Sequence, residues 1–208
     1  MYLRYTIFAC VLLCCLFVMR SCSCRTGGDV TPKTPALKAG DPDAYYEQLV
    51  RKRMEFQEKI FEAMDAYRST SQKVHEQNAK LKQYLGGNPA TQTIELFISK
   101  KNRPSEVPPD LRIAFSCWQT LLPDEKQRLQ IASWVEKLQV SGILETLDTQ
   151  IKEIENRRQL GKFLDKKELA EIDRLIAQQV VDWKTEPVSD AVLEAEAIKS
   201  LKVMLFGE

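Results

Sequence analysis

The longest periodic pattern in the chain constrains the fold more than any other feature. Between residues 43 and 85, apolar residues recur at multiples of three and four, with one skip near Ile60. Such spacing is typical of one face of an α-helix. The apolar positions are Tyr46, Leu49, Phe56, Ile60, Met64, Tyr67, Val74, Leu81 and Leu85. Asp41 or Asp43 can cap the start and Gly86-Gly87 ends the pattern, so the sequence predicts a helix of up to ~60 Å.

Polar residues interrupt this apolar stripe at Arg53, Ser71 and Asn78. An uninterrupted coiled-coil seam requires apolar residues at such positions, so the interruptions argue against one. Two interpretations stay open: the backbone helix of a bundle, or a projecting stalk that binds a partner. His75, the one histidine of the chain, lies on a polar stretch without a second metal ligand near it in sequence. We expect it to be a solvated helix residue.

The residues after the long helix predict a helical hairpin followed by a loop. Asn88-Pro89 has the composition of a helix start, with asparagine as the cap and proline at the first helical position. Ile94, Phe97 and Ile98 form the apolar face of a short helix. The segment 103–110, RPSEVPPD, contains three prolines, and it is predicted to be a loop because proline cannot continue a helix.

The last hundred residues are predicted to form a series of short amphipathic helices. Pro123 is predicted to start one helix, Ser141-Gly142 and Glu186-Pro187 to end others, and Asp165 with Glu168 to form a capping box. The apolar faces are formed by Leu111, Ala114, Phe115, Trp118, Leu121 and Leu122, by Leu129, Ala132, Val135 and Leu138, by Leu144, Leu147, Ile151 and Ile154, by Leu169, Ile172, Leu175, Ile176, Val180 and Trp183, and by Leu193, Ala197, Leu201, Met204 and Leu205. No convincing alternating strand pattern occurs. The predicted fold class is all-α, a long N-terminal helix followed by a compact bundle of short helices.

The first residues are predicted to form an export segment. Met1 and Arg4 supply a positive start, and residues 5–19 supply an apolar core. A signal peptide has an apolar core of ~7–15 residues, whereas a membrane-spanning helix requires ~20. The length therefore favours a signal peptide, predicted over residues 1–21, above an uncleaved signal anchor. Cleavage by an ordinary signal peptidase is the third interpretation.

At the end of this core, Met19-Arg20-Ser21-Cys22 resembles the lipobox of bacterial lipoproteins. In that family a cysteine preceded by a small residue is acylated and becomes the mature N-terminus. The resemblance implies lipidation at Cys22. Arg20 stands where a small uncharged residue is usual, so Cys24 is the second candidate. Because Ser23 and not aspartate follows Cys22, the resemblance implies export to the outer membrane or the cell surface of a bacterium.

The export segment is followed by a predicted tether. Residues 22–42 comprise the lipidated N-terminus and a stretch rich in glycine, proline, threonine and lysine, with a coil end-to-end distance of ~20–25 Å. The body then divides into residues 43–102, the long helix and helical hairpin, and residues 110–208, the helical bundle. These two parts are predicted as separate units or as one domain.

The charge and the motifs of the chain exclude several function classes. A net charge of +1 and the lack of a basic block disfavour nucleic-acid binding. No nucleophile elbow and no phosphate-loop spacing occurs in the sequence. The sequence therefore predicts a protein that is not an enzyme, without a cofactor and without a metal site. An envelope enzyme of unrecognised type stays as an alternative.

Three cysteines follow the apolar core of the leader: Cys22, Cys24 and Cys117. If Cys22 is acylated, Cys24 and Cys117 are left as a candidate disulfide in an oxidising envelope. The alternative is that Cys117 is a small buried hydrophobe on an apolar helix face. Both interpretations stay open at this point.

A second resemblance concerns residues 122–138, LPDEKQRLQIASWVEKL, which are similar to a helix start in the multicopy lipoproteins of spirochaetes. It implies the lipoprotein class and assigns no residue a role. The function expected from the sequence is a lipid-anchored envelope protein that binds another protein. The alternative is a self-associating helical stalk, or an envelope-assembly helper held by an uncleaved signal anchor. In the stalk, a homo-oligomer would form through the long helix with Arg53, Ser71 and Asn78 at its seam.

Overall fold

The computed structural model describes residues 40–86, 91–186 and 188–207. These ranges contain six α-helices and two short 3-10 turns and no strand, which confirms the all-α prediction. The helices are α1 (Pro42–Tyr84), α2 (Thr91–Ser99), α3 (Arg112–Val140), α4 (Ile143–Gln159), α5 (Lys166–Ala177) and α6 (Asp190–Phe206), and the turns are Pro104–Glu106 and Pro109–Leu111. The predicted signal peptide, Cys22, Cys24, the tether up to residue 39 and the Asn88-Pro89 helix start lie outside the described residues.

Helix α1 is 43 residues long, which corresponds to ~65 Å. Asp41 caps it by accepting a hydrogen bond from the Asp43 backbone amide (3.0 Å), and Pro42 occupies the first helical position. The buried side of the helix is formed by Pro42, Leu49, Phe56, Ala63, Thr70, Val74, Asn78 and Leu81. The predicted face is thus correct at Leu49, Phe56, Val74 and Leu81 and wrong at Met64, which is 42% exposed. Ala63 takes the core position instead.

Helices α3 and α4 run antiparallel to α1, and together they pack along most of its length. Lys73 of α1 pairs with Asp124 of α3 (2.8 Å), and Arg53, further towards the start of α1, pairs with Asp148 of α4. Gly142 makes the turn between α3 and α4 at φ +63°, a backbone conformation that residues other than glycine rarely adopt. The predicted break at Ser141-Gly142 is confirmed, and α1 is the backbone helix of a bundle.

Helix α3 continues through Pro123, where the sequence predicted that a new helix starts. That boundary is wrong. An interior proline removes one backbone hydrogen bond and costs ~3 kcal/mol. Buried residues lie on both sides of it, however, with Trp118 and Leu121 before the proline and Ile131 and Trp134 after it. Because the two halves of α3 pack on the same long helix, this packing outweighs the local cost.

The core consists of three clusters arranged along α1. One joins the C-terminal half of α1 to α2, the first half of α3 and α6, and the second joins the N-terminal half of α1 to α4 and α5. A small central cluster contains Ala63, Ile131, Trp134 and Trp183. The capping box of α5 is present as predicted, with Asp165 and Glu168 each accepting from the other's backbone. All later helices therefore lie on one side of α1, and its opposite side faces solvent.

Candidate functional site

Three large apolar side chains are exposed on α1 between residues 42 and 64. Met54 is 62% exposed, Phe61 60% and Met64 42%. Residues seven apart on a helix lie almost above one another, so Met54 and Phe61 form a line opposite the buried line that contains Phe56 and Ala63. We call Met54, Phe61 and Met64 the outer patch. It is an apolar surface on a rigid helix that no other described residue covers.

The outer patch is confined to the N-terminal half of α1. Beyond it, the same solvent face presents the exposed polar residues Arg68, Gln72, His75 and Glu76. His75 is thus exposed, as expected. The outer patch is thus an apolar stretch of ~15 Å on an otherwise polar solvent face.

A row of carboxylates flanks the outer patch on one side of the helix. Its exposed members are Glu47, Glu55, Glu58, Glu62 and Asp65. By helical position, one cation, Arg51, lies within the row. Lys52 pairs with Glu55 (3.2 Å) and Lys59 with Glu62 (3.0 Å) from the side nearer the bundle, and Arg68 pairs with Asp65 (3.2 Å) from the outer face. Exposed pairs of this kind contribute ~0–1 kcal/mol, so the cations hold these carboxylates only weakly.

The other flank of the patch leads directly into the bundle. Arg53 donates to the Asp148 carboxylate of α4 and to the Gln57 side chain. Ser71 Oγ is buried, and Asn78 is 6% exposed. The sequence placed Arg53, Ser71 and Asn78 at the seam of a self-associating stalk. That seam is wrong, because these residues face the chain's own helices.

A groove of about 500 Å³ lies at the far end of α1, between this helix and the start of α3. It is lined by Gln77, Lys80, Tyr84, Ile113 and Cys117, among others. The Cys117 thiol lies 3.5 Å from the Gln77 carbonyl oxygen, to which it donates. Burial raises the pKa of this thiol, and nearby Lys80 opposes the increase. Cys117 is therefore a half-buried thiol that stays protonated at neutral pH.

The predicted Cys24–Cys117 disulfide is constrained by the length of α1. Cys117 contacts α1 at Gln77, ~50 Å along the helix from Pro42. The segment from Cys24 to Gly40 spans at most ~55 Å when fully extended. An intramolecular bridge would thus use nearly the whole reach of that segment. Among the described residues Cys117 is the only cysteine, and its pairing with Cys24 stays a prediction.

A smaller cavity of about 320 Å³ lies between α2, α3 and α6. Phe97 and Trp118 form part of its floor, and Lys101, Lys126 and Glu194 stand at its rim. Lys101 pairs with Glu194 at 2.6 Å, and Lys126 lies 3.9 Å from the same carboxylate. Lys126 also pairs with Asp190, so each lysine at the cavity has a carboxylate partner within the chain.

Comparison with family models, curated proteins and solved structures gives no match to the chain. Function is therefore inferred from the geometry of the chain itself. Within the part of the chain that the structure describes, no helix combines the length and apolarity needed to cross a bilayer. The same part holds no group of three histidine, cysteine or carboxylate side chains arranged to bind a metal ion.

The most buried charged group belongs to an ion pair that the sequence analysis missed. Glu125 is fully buried, and both of its oxygens accept from Arg128 at 2.6 and 2.7 Å. Arg128 also donates to the Tyr67 hydroxyl of α1 (3.0 Å) and to Ser200 of α6 (3.4 Å). The hydrogen-bonded Glu125 carboxylate raises the pKa of Arg128. This network fixes three helices relative to one another, and it lies inside the bundle, away from the outer patch.

The three tryptophans also belong to the interior. Trp118, Trp134 and Trp183 are 2%, 4% and 8% exposed. All three are core residues, so none of them is an exposed binding anchor. Other large apolar side chains as exposed as those of the outer patch are Ile113, Val140, Leu160 and Phe163.

Proposed function

We propose that the chain is a lipid-anchored protein of the bacterial envelope that acts by binding another protein through the outer patch of α1, without catalysis. Acyl chains on Cys22, with Cys24 as the second candidate, hold it at the outer membrane or the cell surface. The observation that carries the proposal is the exposure of Met54, Phe61 and Met64 on a helix whose other large apolar residues are mostly packed.

Tethering and recognition cooperate in this mechanism. Two or more acyl chains hold a protein stably at a membrane, and the predicted tether lifts the body by ~20–25 Å. The outer patch lies in the half of α1 that follows the tether, so a partner at the membrane surface comes within reach. Large apolar side chains at the centre of a contact are the residues that contribute most to protein binding.

The anchor predicts a specific mass for the mature protein. Protein purified from the membrane fraction of its own cells should have the mass of residues 22–208 plus acyl chains. Intact-protein mass spectrometry measures this directly. A mass that begins at Cys24 would move the anchor to the second candidate. A full-length uncleaved mass would contradict lipidation and support the signal anchor.

The outer patch predicts that partner capture depends on Phe61. A photoreactive amino acid at Met54 should cross-link a defined envelope protein, identified by mass spectrometry. Phe61→Ser should reduce that cross-link at least tenfold, because removing a central aromatic contact costs ~2 kcal/mol or more and 1.4 kcal/mol is a factor of ten.

The matched control for this experiment is Val192→Ser on α6. Val192 is 56% exposed, close to the exposure of Phe61, but it lies outside the patch. The control should leave the cross-link unchanged. Equal loss in both variants, or no loss with Phe61→Ser, would refute recognition through the outer patch.

A further inference from the structure

We infer that the partner binds the outer patch with a basic amphipathic helix, whose apolar face covers Met54, Phe61 and Met64 and whose flanking lysines or arginines meet the carboxylate row. This inference rests on the proposed function and specifies the chemistry of its partner. Two observations support it: the spacing of the patch residues and the sign of the charges beside them.

The spacing of the patch residues fits a second helix. Met54, Phe61 and Met64 are separated by seven and three residues, the positions that one helix presents to another in a two-helix contact. Val50, four residues before Met54, and Gln57, three residues after it, lie on the same face of the helix and are half-buried. The patch is ~15 Å long, so about three turns of a partner helix cover it.

The carboxylate row determines the charge of that helix. In a helix pair with axes 8–10 Å apart, the residues that flank the apolar contact face the flanks of the partner. Here the open flank holds Glu47, Glu55, Glu58, Glu62 and Asp65 with Arg51. Glu55, Glu62 and Asp65 each pair with one exposed or half-buried cation of this chain, whereas Glu47 and Glu58 form no ion pair in the part of the chain that the structure describes. A partner with cations at its flanks gains attraction and faster association there.

The same row disfavours a second copy of this chain. An isologous antiparallel pairing of two α1 helices would place one carboxylate row beside the other, with Glu58 near its own symmetry mate. Like charges placed side by side weaken association and suppress incorrect partners. Anionic lipid headgroups are disfavoured for the same reason, because they would be repelled by the row. Of these three occupants, the basic helix alone satisfies both the apolar patch and the charged flank.

A charge-swap experiment tests the inference with two synthetic helical peptides. Both carry leucine at the heptad contact positions, and one carries lysine and the other glutamate at the flanking positions. Fluorescence anisotropy measures their affinity for the purified full chain in a neutral detergent. The lysine peptide should bind at least about tenfold tighter than the glutamate peptide. Glu58→Lys with Glu62→Lys should reverse this preference.

A matched control distinguishes the effect of the carboxylate row from the effect of the net charge of the chain. Glu76→Lys with Glu136→Lys changes the net charge equally at two exposed positions outside the row. This control should keep the preference for the lysine peptide, and a reversal in the control would overturn the inference. Detergent binding by the peptides is the same for all variants, so it cannot produce a variant-specific reversal.

The outcomes distinguish this inference from the proposed function. Equal binding of both peptides, lost for both in Phe61→Ser, would overturn the inference and leave recognition through the patch standing. Peptide binding unaffected by Phe61→Ser would contradict the patch as a binding surface. Analytical ultracentrifugation of the chain without peptide tests whether a second copy of the chain occupies the outer patch. A dimer that Phe61→Ser dissociates would overturn the inference in favour of self-association.

Discussion

Replacing Arg128 by alanine should lower the free energy of unfolding by about 3–5 kcal/mol. The substitution leaves the Glu125 carboxylate fully buried without the guanidinium that now donates to both of its oxygens. It also removes the hydrogen bonds that connect α3 to Tyr67 of α1 and to Ser200 of α6. Chemical denaturation of the full chain in detergent, followed by near-ultraviolet circular dichroism, measures the loss.

Two further variants test whether the loss comes from the buried Glu125 carboxylate being left without a partner. Arg128→Lys keeps the positive charge but cannot donate to both oxygens in a planar fork, so it should be destabilised less than the alanine variant. Glu125→Gln with Arg128→Met removes both charges and should recover most of the loss, because replacing both partners of a buried pair is often close to neutral. A loss below about 1 kcal/mol for Arg128→Ala would show that the pair contributes no more than a surface pair.

The fold class was predictable because periodicity reports the structural type directly. Spacings of three and four over residues 43–85, and no alternating segment elsewhere, leave helices as the consistent solution. The exact faces were less predictable. Ala63 lies in the core and Met64 does not, although methionine is the more apolar residue. Trp134 packs against that position, and a small side chain is what allows the two helices to approach.

The start and the buried face of α3 were also only partly predictable from the sequence. The sequence placed Leu129, Ala132 and Val135 on the buried face, whereas these residues are half-buried and Ile131 and Trp134 are buried. Pro123 supplied a strong local signal for a helix start that the packing on both sides overrides. Local propensity is a weak predictor where tertiary contacts determine the outcome.

The candidate site could not be located from the sequence, because exposure depends on which helix faces are covered. The apolar stripe omitted Met54 and Phe61 and gave no reason to treat them as a surface. The buried pair Glu125–Arg128 has the same three-residue spacing as Glu171–Arg174, which is a surface pair. Only the position of α1 and α6 around Arg128 distinguishes the two pairs, and no local pattern encodes that position.

Trp134 should be the other residue whose loss is severe, because it supports both the central cluster and the chain between α5 and α6. Its ring packs in the cluster of Ala63, Ile131 and Trp183, and its Nε1–H donates to the Val181 carbonyl oxygen at 3.1 Å. Trp134→Ala should lower the free energy of unfolding by about 3–5 kcal/mol through the cavity it creates. Chemical denaturation measures this loss.

The same substitution should release the segment 178–186 before the rest of the bundle unfolds. Trp134 and Gln130 hold this segment through its backbone carbonyls, and Gln130 donates to that of Trp183 at 3.0 Å. Hydrogen exchange in 178–186 should therefore accelerate more in Trp134→Ala than in Trp118→Ala, which removes a tryptophan from another cluster. Trp134→Phe should cost about 0.5–1.5 kcal/mol, because it removes the hydrogen bond to the carbonyl oxygen of the exposed Val181. Equal acceleration in both alanine variants would show that the segment is held by overall stability and not by Trp134.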